Sequence, residues 1–293
     1  MTLPVNPDVR PLTQATVAGS GARYWVWGDP EATTTVIAVH GFRGDHHGLL
    51  PIVQRLARYR IVTADLPGFG VSPSFEATTH DVPAYAAWLA DLCAQVRRPG
   101  DRLVILGHSF GSVISAAAVA DGLQPDALVL INPIAAPALQ GPRAVLSRIA
   151  VGYYRAGALL PESVGGPLLT SSLIVRAVSE IMTRTPDRQL RAWIHDQHRR
   201  YFSSFADRQV VVEAFEASVS HHIGEYADRI RIPTLLIAGD HDDIAPVPAV
   251  QHLAERITDS RLLVLADVGH LIHYERADPA AVAIKEFLER RLP

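Results

Sequence analysis

Two rhythms of apolar residues alternate along the chain. The segment 35–40 (TVIAVH) is β-branched and almost wholly apolar, with no polar alternation. Such a run reads as a strand buried on both faces of a parallel sheet. Residues 60–65 (RIVTAD) form the next apolar strand, and 103–106, 127–131, 234–238 and 261–265 are read as further strands. An aromatic segment at 22–27, ended by Gly28-Asp29-Pro30, reads as one more. The first twenty residues read as an irregular arm. Helical spacing fills the intervals. Tyr85, Trp88, Leu89, Leu92, Cys93 and Val96 recur at three- and four-residue steps and predict a helix over 81–97 with a single apolar stripe. Further helices are expected at 46–58, 109–121, 247–257 and 279–291.

From 134 to 222 the buried-strand rhythm stops. Helical segments broken by Gly and Pro are predicted at roughly 142–159, 166–184, 187–205 and 208–221. In the third, Leu190, Trp193, Ile194, Gln197 and Tyr201 share a face. Strand–helix alternation on either side implies a parallel sheet covered by helices on both faces. The expectation is an α/β, doubly wound, mostly parallel fold. Its core is 1–133 and 223–293, with the helical stretch 134–222 inserted between two strands.

Composition sharpens this picture. Of 293 residues, 48% are hydrophobic and 19% charged, which suits a large core and argues against disorder. A net charge of −3, from 27 basic and 30 acidic residues, leaves no broad basic field, so nucleic-acid binding is disfavoured. The single cysteine, Cys93, excludes an internal disulfide framework and any Cys-based zinc site. It lies on the apolar stripe of the 81–97 helix and reads as a core thiol, not a nucleophile. The opening MTLPVNPDVRPLTQ has prolines and no apolar h-region, so it does not read as a secretory signal. No run approaches the roughly 18 apolar residues of a spanning helix. A cytoplasmic protein without a membrane span is the expectation.

Chemistry concentrates in 103–112, LVILGHSFGS, which holds G-x-S-x-G as Gly107, Ser109 and Gly111. Apolar strand residues precede it and a small-residue helix follows. A serine on a strained strand-to-helix turn projects its hydroxyl outward, and the flanking glycines make room for the turn. The helix N-terminus then favours negative charge at the site. With this context the chain resembles the α/β-hydrolase superfamily over nearly its whole length.

The resemblance implies a nucleophile, a base and an orienting acid in the order Ser, Asp or Glu, His. Residues 239–246, GDHDDIAP, are similar to the family's G-x-x-D-x-x-x-P loop and align Asp242 as the acid, with Asp240 and Asp243 as flanking rivals. Gly269-His270 matches the family's G-H, which makes His270 the base and leaves His273 to packing or a hydrogen bond. Some relatives carry the acid after an earlier strand; Asn132 stands there and bears no charge. Residues 40–44, HGFRG, resemble H-G-x-x-G. They imply an oxyanion hole from the backbone N–H groups of Phe42 and Phe110, whose rings are then free to line an acyl pocket. His40 is expected to pack beneath this loop. Arg43 is open between gripping a substrate carboxylate and a salt bridge with a carboxylate such as Asp45. Residues 65–73, DLPGFGVSP, resemble a structural loop of the family.

The insertion looks like the family's cap, which excludes water and sets specificity. Arg43, His108 and Trp193 are the candidate substrate contacts. Arg155, Arg191, Arg199 and Arg200 read mostly as solvated charges, one or more of which could hold an anionic substrate. His195 and His198 stand three apart without a third ligand, so no metal is expected, and no organic cofactor.

The resemblance thus implies a serine hydrolase cleaving an ester-type acyl bond of a small molecule through an acyl-enzyme. Carbon–carbon hydrolases of vinylogous diketones are an alternative, although they usually carry Asn or another residue where His108 stands. Serine-dependent lyase or acyl-transfer chemistry shares the scaffold. A non-catalytic ligand sensor needs no triad. Haloalkane dehalogenases and epoxide hydrolases need a carboxylate where Ser109 stands. Substrate and oligomeric state are not legible from these residues.

Overall fold

The computed structural model describes residues 5, 6, 9–137 and 144–292. Part of the expected N-terminal arm and the first two positions of the expected 142–159 helix lie outside the described residues.

Eight strands form one sheet: β1 Thr13–Thr16, β2 Arg23–Gly28, β3 Thr34–Val39, β4 Arg60–Ala64, β5 Arg102–His108, β6 Ala127–Ile131, β7 Thr234–Gly239 and β8 Ser260–Leu265. Their spatial order is β1-β2-β4-β3-β5-β6-β7-β8. Strands β3 to β8 are parallel, while β1 and β2 run antiparallel to their neighbours. The irregular arm expected at the N-terminus is corrected here. Thr13–Thr16 is an edge strand paired with β2, and its polar sequence TQAT gives no apolar signal.

Because successive strand residues face opposite ways, the unbroken apolar runs feed two cores. Ile37, Val39, Val62, Leu103, Ile105, Leu128 and Leu130 point into one. There they meet α2 (Val82–Val96) and α3 (Phe110–Ala120). Val36, Ala38, Ile61, Val104, Leu106, Val129 and Ile131 point into the other, which packs on α1 (Leu50–Arg55) and the C-terminal helix Ala277–Arg291. Helix α2 starts where the Asp81 carboxylate accepts the Ala84 N–H at 2.9 Å, a side-chain N-cap. Its predicted stripe is buried, and burial pushes the Cys93 thiol up to about 12, which leaves it inert.

Between β6 and β7 the chain forms α4 Ala144–Leu159, α5 Glu162–Leu169, α6 Ser172–Met182, α7 Arg188–Tyr201 and α8 Arg208–Ser220, with no strand among the described residues. The single helix expected at 166–184 is two. Ser171 leaves helical geometry at ψ 116°, and α5 runs through Gly165, Gly166 and Pro167, which read as breakers. This insertion meets the core at the loop after β4. The Gly70 N–H donates to Ser204 O at 2.9 Å, the Ala206 N–H donates to Gly68 O at 2.8 Å, and Phe69 forms a bridge with Phe205. After β7 come α9 Val247–Arg256, a short α10 Ile272–Glu275, and α11 Ala277–Arg291.

Candidate active site

Ser109 sits between β5 and α3 at φ 54°, ψ −120°, a left-handed backbone that strains any residue with a Cβ. Close packing imposes it. A Cβ on Gly111 would lie 2.3 Å from Val39 O, and one on Gly107 would lie 2.5 Å from Gly111 O. The Ser109 N–H donates to Ile131 O at 3.0 Å, which locks the turn onto β6.

Strands β5, β6 and β7 and the loop after β8 bring four side chains into a line. His270 Nε2 lies 2.7 Å from Ser109 Oγ, and His270 Nδ1 lies 2.9 and 3.1 Å from the two Asp242 oxygens. Asp242 is 4% exposed, and its Oδ1 accepts the N–H groups of Ile244 at 2.8 Å and Ala245 at 3.0 Å. Burial alone would raise its pKa. The facing His270 and these amides outweigh that and hold it at about 2. It is therefore a carboxylate at neutral pH, oriented to accept from His270 Nδ1–H and leave Nε2 facing the serine. The rivals are engaged elsewhere: Asp243 pairs with Arg184 of the insertion at 2.6 Å, and Asp240 pairs with His241 and accepts the Val268 N–H.

The fourth member is Asn132, which the sequence marks only as a position without charge. Its Nδ2 donates to Asp242 Oδ2 at 2.8 Å and to Gly269 O at 3.0 Å, so it bridges the acid to the residue preceding His270. It too has a positive φ, 48°. Its place after β6, where some relatives keep their acid, was the available signal.

Among the described residues, neither the Phe42 nor the Phe110 N–H donates a hydrogen bond within the protein. Phe110 opens α3, and Gly41, just before Phe42, presses on the serine: a Cβ added there would be 3.0 Å from Ser109 Cβ. The Phe110 ring departs from expectation. Phe110 is 1% exposed and packs edge-on to Tyr85 in the core, so it does not line a pocket. Phe42 is partly buried and packs against Phe69, Tyr154 and Phe215. His40 Nε2 accepts the Leu66 N–H at 2.9 Å while Nδ1 lies 2.8 Å from Gly41 O, so the ring props the loop from beneath.

His108 is brought beside the line. Its Nε2 is 3.3 Å from His270 O, and its ring lies tilted against that of His273 with centroids 4.1 Å apart. Burial, with His270 nearby, lowers its pKa to about 3 and keeps it neutral. His273 is buried and packed between His108 and Tyr274. Trp193 packs edge-on to Tyr274 at 5.3 Å. His195 and His198 both turn Nδ1 to the Ser179 hydroxyl, at 2.6 and 2.7 Å. Among the described residues, Asp45-His46-His47 and Asp240-His241-Asp267 group donor atoms at cation-like spacing. In the first, His46 Nδ1 lies 2.8 Å from Asp65, and His47 Nδ1 lies 3.1 Å from Asp45 of the same group.

Arg43 corrects an expectation. It makes no salt bridge with Asp45. Its 2%-exposed side chain runs into the insertion, donating from Nε to Phe202 O, from Nη1 to the Tyr154 hydroxyl, and from Nη2 to Leu169 O and Ser203 Oγ, at 2.9–3.2 Å.

Comparison with known proteins agrees with this architecture. Lipase 1 of Psychrobacter immobilis is 24% identical over 268 residues, covering 86% of this chain and 76% of that protein. The pimeloyl-[acyl-carrier protein] methyl ester esterase of Aeromonas hydrophila is 24% identical over 232 residues, covering 76% of this chain and 82% of its own. Among solved structures, an esterase from Exiguobacterium antarcticum superposes with a TM-score of 0.75 at 17% identity, covering 94% of this chain and 99% of that one. Among the described residues, no helix is long and apolar enough to cross a membrane. The sequence model of the alpha/beta hydrolase fold family matches residues 34–277, and the chain belongs to that family.

Proposed function

We propose that the protein is a serine hydrolase that cleaves an ester-type acyl bond of a small molecule, beneath a cap formed by residues 134–222. The observation that carries this reading is the continuous line Asp242, His270, Ser109, with 2.9 and 2.7 Å between successive polar atoms. Such spacing lets a histidine take a serine proton while the carboxylate stabilises the resulting imidazolium. Lipase and esterase relatives support a hydrolase activity.

In this mechanism Ser109 Oγ attacks the acyl carbonyl carbon as its proton passes to His270 Nε2. The Phe42 and Phe110 N–H groups, which have no partner within the protein among the described residues, receive the developing oxyanion. The tetrahedral intermediate collapses, the C–O bond to the alcohol breaks, and His270 returns the proton to the leaving oxygen. Water, deprotonated by His270, then attacks the acyl-enzyme and releases the acid. Asp242 holds the histidine tautomer throughout, and Asn132 holds Asp242.

Ser109→Ala tests this. Turnover of p-nitrophenyl butyrate should fall about 10⁴-fold or more, and labelling by a fluorophosphonate probe should vanish, with the fold retained by circular dichroism. A variant that keeps wild-type turnover would remove Ser109 from the reaction.

A further inference from the structure

The peptides on either side of the His270 Cα each meet a side chain from a strand end. Asn132, just past β6, donates from Nδ2 to Gly269 O at 3.0 Å. His108, the last residue of β5, places Nε2 3.3 Å from His270 O. Gly269 O belongs to the peptide that enters His270, and His270 O to the peptide that leaves it. Each peptide is planar, so fixing both planes fixes φ and ψ between them, and with these the direction of the Cα–Cβ bond. Among the described residues, His270 O accepts from no backbone N–H, which leaves His108 as the partner of the second plane.

The direction of that second bond follows from charge and surroundings. The His108 ring is buried, and burial, with His270 nearby, lowers its pKa to about 3. It is therefore neutral at pH 7, with one N–H to place. A carbonyl oxygen only accepts, which puts that proton on Nε2. Another edge of the ring meets the loop after β3: a Cβ added to Gly41 would fall 3.2 Å from His108 Nδ1. The His273 ring packs against it at a tilt. Enclosed in this way, the ring has little surface left for a substrate.

We propose that His108 is a positioning residue: its Nε2–H, together with the Asn132 amide on the preceding carbonyl, fixes the backbone of His270 and so keeps the imidazole on the line between Asp242 and Ser109. Asp242 restrains one edge of that imidazole, and the two strand-end donors restrain the chain that carries it. This inference rests on the serine-hydrolase reading above and gives a role to a residue outside the proton relay. At 3.3 Å the bond is long, so its loss displaces the base modestly and leaves the relay itself in place.

Three substitutions separate this role from packing and from substrate contact. Glutamine carries an N–H at about the reach of a histidine Nε2, asparagine ends near the place of Nδ1, and leucine has no donor. In His108→Leu and His108→Asn, kcat on p-nitrophenyl butyrate should fall about 10- to 30-fold while KM changes less than about threefold. The rate of Ser109 labelling by a fluorophosphonate should fall in the same proportion, because that step also depends on His270. His108→Gln should restore both rates to within about threefold of wild type. The proposal is overturned if His108→Gln is as slow as His108→Leu, or if His108→Leu keeps wild-type kcat and labelling. It is overturned equally if the loss appears in KM with kcat unchanged, which a substrate contact would give. Should His108→Leu fail to fold by circular dichroism, His108→Asn against His108→Gln decides on the same criteria. Wild-type protein that neither turns over the ester nor takes a fluorophosphonate instead overturns the hydrolase reading, and this inference with it.

Discussion

At the strand ends, Asn132, Asp242 and His270 are 0, 4 and 5% exposed, and each is hydrogen-bonded to its neighbour in the line. In the insertion above them, Ile149, Leu159, Leu173 and Ile181 are 63, 86, 81 and 70% exposed. The sheet is packed from both faces, so its strand ends have little freedom, and side chains there hold a fixed geometry. The insertion's helices pack in two groups, α4 with α5 and α8, and α6 with α7, and leave outer faces uncovered. Polar links help tie them down: Arg43, the Arg184–Asp243 pair, and Glu275, whose carboxylate accepts the Arg184 and Thr185 N–H groups at 2.7 and 3.1 Å. Packing fixes the core site, while polar links such as these hold the insertion to it.

The largest effect that would sharpen this contrast comes from the core site. Asp242→Asn should keep the fold and lower kcat about 10⁴-fold, because an amide favours the wrong histidine tautomer. Steady-state kinetics with p-nitrophenyl butyrate read it, and a loss below tenfold would break the picture of a geometry-dependent site.

Next comes a matched pair of truncations followed by urea unfolding. Leu89→Ala removes a fully buried side chain of α2 and should cost about 3 kcal/mol. Leu173→Ala, on the outer face of α6, should change stability by less than about 0.5 kcal/mol. Equal losses would show that the exposed face is covered in solution.

A smaller effect appears in acid. The folded-state pKa of Asp242 is depressed to about 2, so its contribution is fully present above the ordinary value near 4 and is lost as pH falls towards 2. The loss should be about 2 kcal/mol. His108, held at about 3, adds a separate decline that begins below the usual histidine value near 6.5. Wild type compared with Asp242→Asn in urea, pH 5 to 2.5, isolates the aspartate: the variant should show the flatter curve in this window.

Much of the molecule could be read in advance. The strands 35–40, 60–65 and 127–131 are apolar on both faces, and that pattern has few solutions other than an inner strand of a parallel sheet. Beta1 escaped because TQAT is polar and lies at an edge, where pairing comes from the backbone and leaves no apolar signature. The break at Ser171 escaped because helix ends inside a bundle are set by what each helix packs against.

The sequence by itself determined the order and type of the core elements and the segments that carry Ser109, Asp242 and His270. Periodicity and turn chemistry are local, and a strained elbow leaves its glycines in view. Only the tertiary structure decided that Asn132 holds the acid, that Phe110 belongs to the core, and that Arg43 reaches the insertion instead of Asp45. Those partners are 110 and more residues apart along the chain for Asn132 and Arg43. Hydrogen bonds over such separations leave no periodic trace; they exist only once the sheet has brought its strand ends together.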